Sequence, residues 1–189
     1  MSGIHSTLRS LIYLLEKFFL KKKIAIVYPF IPHYRLPVFK ELLRCNSAEF
    51  SIFSGTTADM SSMNIRSESE SPAFLQIHWL KNYWLANNFL WQNGMIKLLR
   101  YDVVIFLGDY RYLSTWVYSH VLKIFGKKCL FWTHGIKKSE PTLKGKVRRL
   151  FYSFASGLLL YGERAKELLG KDGFPLKKMH VIYNSLDFP

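Results

Sequence analysis

Short apolar runs rich in β-branched and aromatic residues alternate along this chain with segments whose apolar residues recur every three or four positions. The first pattern predicts β-strands and the second predicts helices. Their alternation indicates stacked βα units around a parallel sheet. The predicted strands are residues 24–28, 50–53, 74–79, 103–107, 129–132, 157–161 and 180–183. The predicted helices are residues 36–44, 89–100, 112–125, 143–154 and 163–169.

The strand segments are apolar almost throughout, which is expected when helices cover both faces of a sheet. The pattern therefore predicts one Rossmann-like, doubly wound α/β domain of about seven strands over residues 23–183. Residues 54–72 are rich in serine and too long for an ordinary connection, so they are predicted to be a flexible or functional loop. Residues 184–189 have the polar and proline content of the start of an interdomain linker.

Residues 1–22 form a separate amphipathic segment with apolar residues at helical spacing and a basic end at Lys21, Lys22 and Lys23. A membrane-spanning helix needs about 20 mostly apolar residues, and Glu16 and Lys17 interrupt this one. Two interpretations stay open. The helix packs on its own domain, or it lies on an anionic membrane surface.

Composition adds a strong positive charge to this picture. The 189 residues carry a formal net charge of +14, which indicates an anionic partner such as nucleic acid, acidic lipid or a phosphorylated substrate. The two cysteines, Cys45 and Cys129, exclude a disulfide scaffold and a four-cysteine zinc site. With no cleavable leader evident, the expected location is the cytoplasm.

The loops after the predicted strands are the places to look for a site, because open parallel sheets bind ligands beyond the carboxyl ends of their strands. The first loop lacks the glycine fingerprint of dinucleotide binding. It places His33, Tyr34 and Arg35 before Pro37, which suits the first turn of a helix whose amino end attracts anions. The alternative is a rigid proline-rich turn with Arg35 merely solvated.

Two further loops supply the remaining candidates. His134 directly follows an apolar strand and precedes Gly135, so its imidazole is expected at the ligand edge, where it would bind a sugar hydroxyl or a phosphate. The candidate binding residues of these loops are Asp109, Tyr110, Arg111, Gly135, Lys137 and Lys138. The histidines lack metal-ligand spacing, so no metal site is predicted.

Residues 123–149 contain nine lysines and arginines and a single acid, Glu140. Such a region is typical of a surface that binds phosphate-rich partners, although charge runs are commonly just solvated faces. No nucleic-acid-binding motif accompanies it, which ranks nucleic acid below membrane lipid or a lipid-linked diphosphate.

Several segments in this order resemble the amino-terminal half of the family 4 glycosyltransferases of the GT-B fold: KIAIVYPFIPHYRLPVFKELL, YDVVIFLGDY, CLFWTHGIK, GLLLYGERAKELL and HVIYNSLD. The resemblance implies a retaining transferase that moves a sugar from a nucleotide diphosphate sugar, its co-substrate, to a lipid-linked or polysaccharide acceptor without a metal cofactor. In such enzymes this half mainly holds the acceptor. His134 matches a histidine that faces the transferred sugar, and His33, Tyr34 and Arg35 match a loop beside the donor phosphates and the acceptor.

The family also has a second Rossmann-like domain that follows this half and binds the donor through an E-x7-E motif, and nothing after Asn184 can supply that domain. The resemblance therefore implies a truncated product or a half that needs a separate donor-binding subunit and is inactive alone. The resemblance also implies that the enzyme acts at the inner face of the cytoplasmic membrane. The alternative is a non-catalytic module that binds membrane or nucleic acid through the basic region.

Overall fold

The computed structural model describes residues 22–56, 71–85, 88–136 and 142–183, with the main chain of residues 64 and 65. The strands within them are β1 (Lys23–Tyr28), β2 (Ile31–Pro32), β3 (Glu49–Gly55), β4 (Asn64–Ile65), β5 (Ile77–Leu85), β6 (Phe89–Asn93), β7 (Val103–Leu107), β8 (Lys128–Thr133), β9 (Gly157–Leu160) and β10 (Met179–Val181). The α-helices are α1 (Leu36–Leu43), α2 (Leu113–Ile124), α3 (Leu143–Ser153) and α4 (Glu163–Lys171). Short 3-10 helices span His33–Arg35, Met95–Arg100 and Leu176–Lys178.

Eight of these strands form one sheet in the order β10-β9-β8-β7-β1-β3-β5-β6. Every neighbouring pair is parallel except β5 and β6, which form an antiparallel hairpin. From the centre at β1 the chain first builds β3, β5 and β6 on one side and then β7 to β10 on the other. This arrangement confirms the prediction of a Rossmann-like, doubly wound α/β domain, with eight strands where about seven were predicted.

Two hydrophobic clusters lie on opposite faces of the sheet. On one face, here called the α1 face, Ile24, Ile26 and Tyr28 pack with Phe39 and Leu42 of α1. On the other, the α2 face, alternate strand residues pack with residues of α2, α3, α4 and the 3-10 helix at Met95–Arg100. Because strand side chains alternate between faces, both sides of β1 are buried, which explains its continuous apolar run.

The prediction of a helix over residues 89–100 is wrong. Residues Phe89–Asn93 are strand β6, and Gly94, with a φ of 91°, leads into the 3-10 helix at Met95–Arg100. The predicted strand at 74–79 is likewise displaced, since β5 covers Ile77–Leu85. Both errors have one cause. Residues 81–85 extend β5 beyond β3, and their hydrogen bonds to β6 replace the helical ones that the apolar spacing had suggested.

The other predicted strands and helices agree with the structure to within two residues at either end. The predicted helix at 1–22, apart from residue 22, the linker at 184–189 and most of the loop at 54–72 lie outside the described residues. No helix in the described part of the chain is long and apolar enough to cross a membrane.

Candidate functional site

The carboxyl ends of β1, β8 and β9 bring an aromatic group together on the α1 face. Tyr28 ends β1, Trp132 lies in β8, and Tyr161 directly follows β9. The ring centroids of Tyr28 and Trp132 are 6.3 Å apart, as are those of Trp132 and Tyr161. With Tyr34, Arg35 and His134, these residues form what we call the Arg35 cluster.

Arg35 is the charged centre of this cluster and is only 4% exposed. One of its guanidinium nitrogens donates a hydrogen bond of 3.0 Å to the Tyr161 hydroxyl. The guanidinium carbon lies 5.2 to 5.5 Å from the ring centroids of Trp132, Tyr161 and Tyr34. These distances fit cation–π contacts, which are stronger where water is excluded. The interpretation of Arg35 as a merely solvated side chain is therefore wrong.

His134 lies where the sequence places it, exposed and immediately after the last residue of β8. Its ring centroid is 4.3 Å from that of Tyr161, at an interplanar angle of 51°. Tyr161 thus contacts the buried arginine through its hydroxyl and the exposed histidine through its ring. This contact links Arg35 to His134 across 99 positions of sequence.

The turn that carries His134 is held by hydrogen bonds on both sides. Thr133 Oγ1 donates to the carbonyl of Gly108 and accepts from the amide of Gly135. The Tyr152 hydroxyl donates to the Gly135 carbonyl over 3.3 Å. Gly135 has a φ of 67°, and a Cβ there would lie 3.0 Å from the Cβ of Ala165. Glycine is needed at this turn for both reasons.

Two buried donors of the cluster have no hydrogen-bond partner among the described residues, namely the Tyr28 hydroxyl and the Trp132 indole nitrogen. Burial raises the pKa of Tyr28 strongly, with Tyr161 adding to the effect and Arg35 opposing it. Burial also raises the pKa of Tyr161. Both phenols therefore stay protonated at neutral pH. Buried polar groups are normally paired, so unpaired donors beside a guanidinium suit a ligand that presents oxygen acceptors.

The loop after β7 holds a second charged group. Arg111 donates to both carboxylate oxygens of Asp109, with 3.0 Å from Nε to Oδ1, and its main-chain amide donates to Oδ1 as well. Burial would raise the pKa of Asp109, but these hydrogen bonds and the positive charge of Arg111 lower it overall. The guanidinium of Arg148 lies 5.6 Å from the Tyr110 ring. Asp109 and Arg111 are thus bound mainly to each other.

The β5–β6 hairpin braces the loop after β1. Asn82 donates to the carbonyl of Pro29, and Gln92 donates both to the carbonyl of Tyr28 and to the side chain of Asn82, at 2.8 to 3.1 Å. The main-chain amide of Gln92 also donates to Ser114 Oγ at the start of α2. Gln92 therefore joins the carboxyl end of β1 to the helix after β7, the neighbouring strand.

The structure brings together Tyr34, Arg35 and His134, with Gly135 as support, and leaves Asp109 and Arg111 in their own ion pair. His33 is exposed in the 3-10 turn before Arg35, and Lys137 and Lys138 lie outside the described residues. Sequence reasoning missed the aromatic residues around Arg35, which are Tyr28, Trp132 and Tyr161. It also missed Asn82 and Gln92, which connect the β5–β6 hairpin to the end of β1 and the loop after it. Tyr161 follows an apolar strand exactly as His134 does, and that signal could have found it.

The basic region does not form one uniform surface. Lys127, at the amino edge of the sheet, lies 4.0 Å from Asp102, and Arg149 pairs with Asp172 at 3.1 Å. Arg148 instead contacts Tyr110 at the carboxyl edge. Among the residues that the structure describes, no three histidine, cysteine or acidic side chains are grouped so that they could hold a metal ion.

Comparison with known proteins finds no matching family model and no matching curated protein. Solved structures do match. The fold is that of one half of a GT-B structure. The UDP-GlcNAc 2-epimerase from Methanocaldococcus jannaschii matches 84% of this chain at 17% identity with a TM-score of 0.54, over 45% of its own chain. The S. aureus MnaA–UDP structure matches 85% at 15% identity with a TM-score of 0.59, over 44% of its own chain.

Anabaena HepE in complex with UDP and glucose matches 88% of this chain at 14% identity with a TM-score of 0.53, over 45% of its own chain. This chain thus spans less than half the length of these matched structures. At such identities the likeness establishes the fold alone.

Proposed function

We propose that this chain is the acceptor-binding half of a retaining glycosyltransferase that takes its sugar from a nucleotide diphosphate sugar. The Arg35 cluster is the observation that carries the proposal. It combines a buried guanidinium, two buried donors without a described partner and an exposed histidine at the carboxyl edge of a GT-B-type sheet. Ligands of open α/β sheets bind at this edge.

The chemistry of the cluster suits a sugar acceptor that carries a phosphate or diphosphate. Arg35 would bind the anionic oxygens, and the hydroxyl of Tyr28 and the indole of Trp132 would donate further hydrogen bonds. Aromatic rings fit the apolar faces of a sugar and exclude water around the charge. The acceptor class we propose is therefore a lipid-linked or polysaccharide sugar.

His134 is proposed to hydrogen-bond the transferred sugar rather than the acceptor. Its imidazole is exposed, while the ring of Tyr161 supports it from one side. A hydrogen bond that strengthens as the glycosidic bond to the nucleotide breaks would stabilise the transition state more than the ground state. The donor contacts themselves are proposed to come from a second Rossmann-like domain, on a partner chain or on a longer form of this one.

A transferase assay with a panel of UDP-, GDP- and ADP-sugars tests the proposal, with and without the product of the adjacent gene. Transfer to a lipid-linked acceptor that needs both proteins and is lost in His134→Ala would support it. Because the matched structure from Methanocaldococcus jannaschii is named as a UDP-GlcNAc 2-epimerase, the same samples should be tested for epimerisation of UDP-GlcNAc. Epimerisation without transfer would contradict the transferase proposal.

The second candidate is a non-catalytic module that binds membrane through basic residues. Lys123 and Lys144 of the basic region are exposed, so both could contact anionic lipid headgroups. Salt would weaken such contacts between exposed charges. Anionic vesicle binding by a chain that supports no sugar chemistry in any combination would favour this candidate over the first.

A further inference from the structure

The β5–β6 hairpin extends beyond the rest of the sheet at its carboxyl edge. The last residue of β5 paired with β3 is Leu80, yet β5 continues to Leu85 and pairs there with β6. The projecting part, residues 81–85 and 89–93, is here called the hairpin arm. Its attachment is one-sided, since Asn82 and Gln92 bind the carbonyls of Pro29 and Tyr28.

The other side of the arm is apolar and aromatic. In an antiparallel pair, directly opposed residues point to the same face and successive residues alternate. Tyr83 opposes Trp91 and Leu85 opposes Phe89, so these four side chains share the face opposite to Asn82 and Gln92. Tyr83 is 41% exposed, Leu85 48% and Phe89 38%. Trp84, on the Asn82 side near the end of β5, is 50% exposed.

The charged residues in and around the hairpin arm, from residue 71 to residue 101, are all basic. No aspartate or glutamate occurs from residue 71 to residue 101, whereas Lys81, Lys97 and Arg100 do. Lys81 lies on the aromatic face, with its ammonium 5.2 Å from the Tyr83 ring centroid. Asp109, in the loop that contacts β6, is bound to Arg111 and adds no free negative charge.

We propose that the aromatic face of the hairpin arm binds the interface of an anionic lipid bilayer. Tyrosine and tryptophan suit the headgroup region because their rings are apolar and their polar atoms stay hydrated. A neighbouring lysine adds attraction to anionic headgroups, which salt screens. An exposed aromatic surface whose own strands carry a lysine and no acidic residue has the complementarity that an anionic bilayer requires.

The arm would also set where the candidate site meets the membrane. Asn82 and Gln92 couple the arm to the loop that carries Tyr34 and Arg35, so a bilayer under the aromatic face would lie beside the Arg35 cluster. In this respect the inference deepens the proposed function, since a lipid-linked acceptor would reach the cluster from that side. The lipid contact itself depends only on the arm.

A local fluorescent reporter tests the contact in the full chain. An environment-sensitive nitrobenzoxadiazole label is attached at Phe89→Cys in a Cys45→Ser background. Cys129 is buried, and burial raises the pKa of its thiol, so it should not react. The matched control carries the label at Leu176→Cys, which is 62% exposed beside Lys177 and Lys178 at the opposite, amino edge of the sheet.

With vesicles of phosphatidylcholine and phosphatidylglycerol, the label at 89 should brighten and shift to the blue, and the label at 176 should not. Pure phosphatidylcholine should give a weaker response. Unlabelled Tyr83→Ser/Leu85→Ser should lower the vesicle partition coefficient about fivefold or more, because apolar surface is no longer buried, and Leu176→Ser should leave it unchanged.

Three results would overturn the proposal. The label at 89 stays unchanged with anionic vesicles, or both labels respond equally, or the label at 89 responds to protein concentration without lipid. The last result would identify a second copy of this chain as the occupant of the face. None of these readouts requires turnover, so they stand apart from the transferase assay.

Discussion

The two charged groups at the carboxyl edge differ in what holds the arginine. Arg35 is buried, and its contacts within the described part of the chain include three aromatic rings and a phenol hydroxyl. Arg111 is partly exposed and bound to a carboxylate, Asp109. Rings and phenols stabilise a cation without neutralising it, whereas a carboxylate cancels its charge. We therefore expect the Arg35 cluster to attract an anionic ligand and the Asp109–Arg111 pair to shape its own loop.

The largest expected difference between the two groups is in stability. Arg35→Ala should lower the free energy of unfolding by about 3 kcal/mol, because it opens a cavity between aromatic rings and removes a buried hydrogen bond. Arg111→Ala should cost about 1 kcal/mol or less, since its side chain is 43% exposed and solvent screens the ion pair. Urea unfolding of both variants measures the difference. Equal losses would contradict the comparison.

The next effect concerns function and separates His134 from the buried residues. In a reconstituted two-domain enzyme, His134→Ala should lower kcat about tenfold or more, equal to about 1.4 kcal/mol of barrier. The imidazole is exposed, so the melting temperature should barely change. Normal turnover would remove His134 from the site, and a collapse in melting temperature would show that its role is structural.

A smaller effect tests the link through Tyr161. Tyr161→Phe keeps the ring beside His134 but loses the hydroxyl that accepts from Arg35, so it should cost about 1 kcal/mol of stability. The NMR shifts of the His134 ring protons should remain near their wild-type values, because they report on the nearby ring. In Tyr161→Leu those shifts should change. If Phe and Leu shift them equally, the ring does not orient His134.

The sequence predicted features that depend on neighbouring residues better than features that depend on contacts between distant residues. A strand such as β7 was located exactly because its run of β-branched residues is a local signal. The position of His134 also followed from local order, a strand and then a glycine turn. The burial of Arg35 depends on Tyr161, 126 positions away, and the role of Gln92 depends on Tyr28, 64 positions away. No local pattern records such contacts.

The hairpin arm shows how a local pattern can mislead. Trp91, Met95, Leu98 and Leu99 recur at i, i+4, i+7 and i+8, which is the spacing of one side of a helix, and this pattern suggested a helix over 89–100. Residues 89–93 instead pair with the free edge of β5 as a strand, and Gly94, in the left-handed conformation, ends that strand. The same mistake hid the exposed face that Phe89 shares with Tyr83 and Leu85, because Phe89 was assigned to a helix and not to a strand paired with β5.

The smallest expected effect is the pH dependence of the two groups. The pKa of Asp109 lies below its ordinary value of 3.8 in the folded protein, so the stability it contributes is present above that pH and is lost as the pH falls through the folded value. In Arg111→Gln the hydrogen bonds and the positive charge that lower the pKa are weakened. The deficit of this variant in unfolding free energy should therefore be largest near neutral pH and shrink in acid.

The deficit of Arg35→Ala should stay constant over the same pH range if the rings and the phenol that the structure describes are what hold the guanidinium, since these contacts do not titrate there. Burial raises the pKa of Tyr161, so its hydroxyl keeps its proton throughout. Urea unfolding of both variants and the wild type, from neutral pH to below 3.8, gives the two curves to compare. Parallel curves for the two variants would mean that a titrating carboxylate also supports Arg35. The distinction between an arginine held by rings and one held by an acid would then fail.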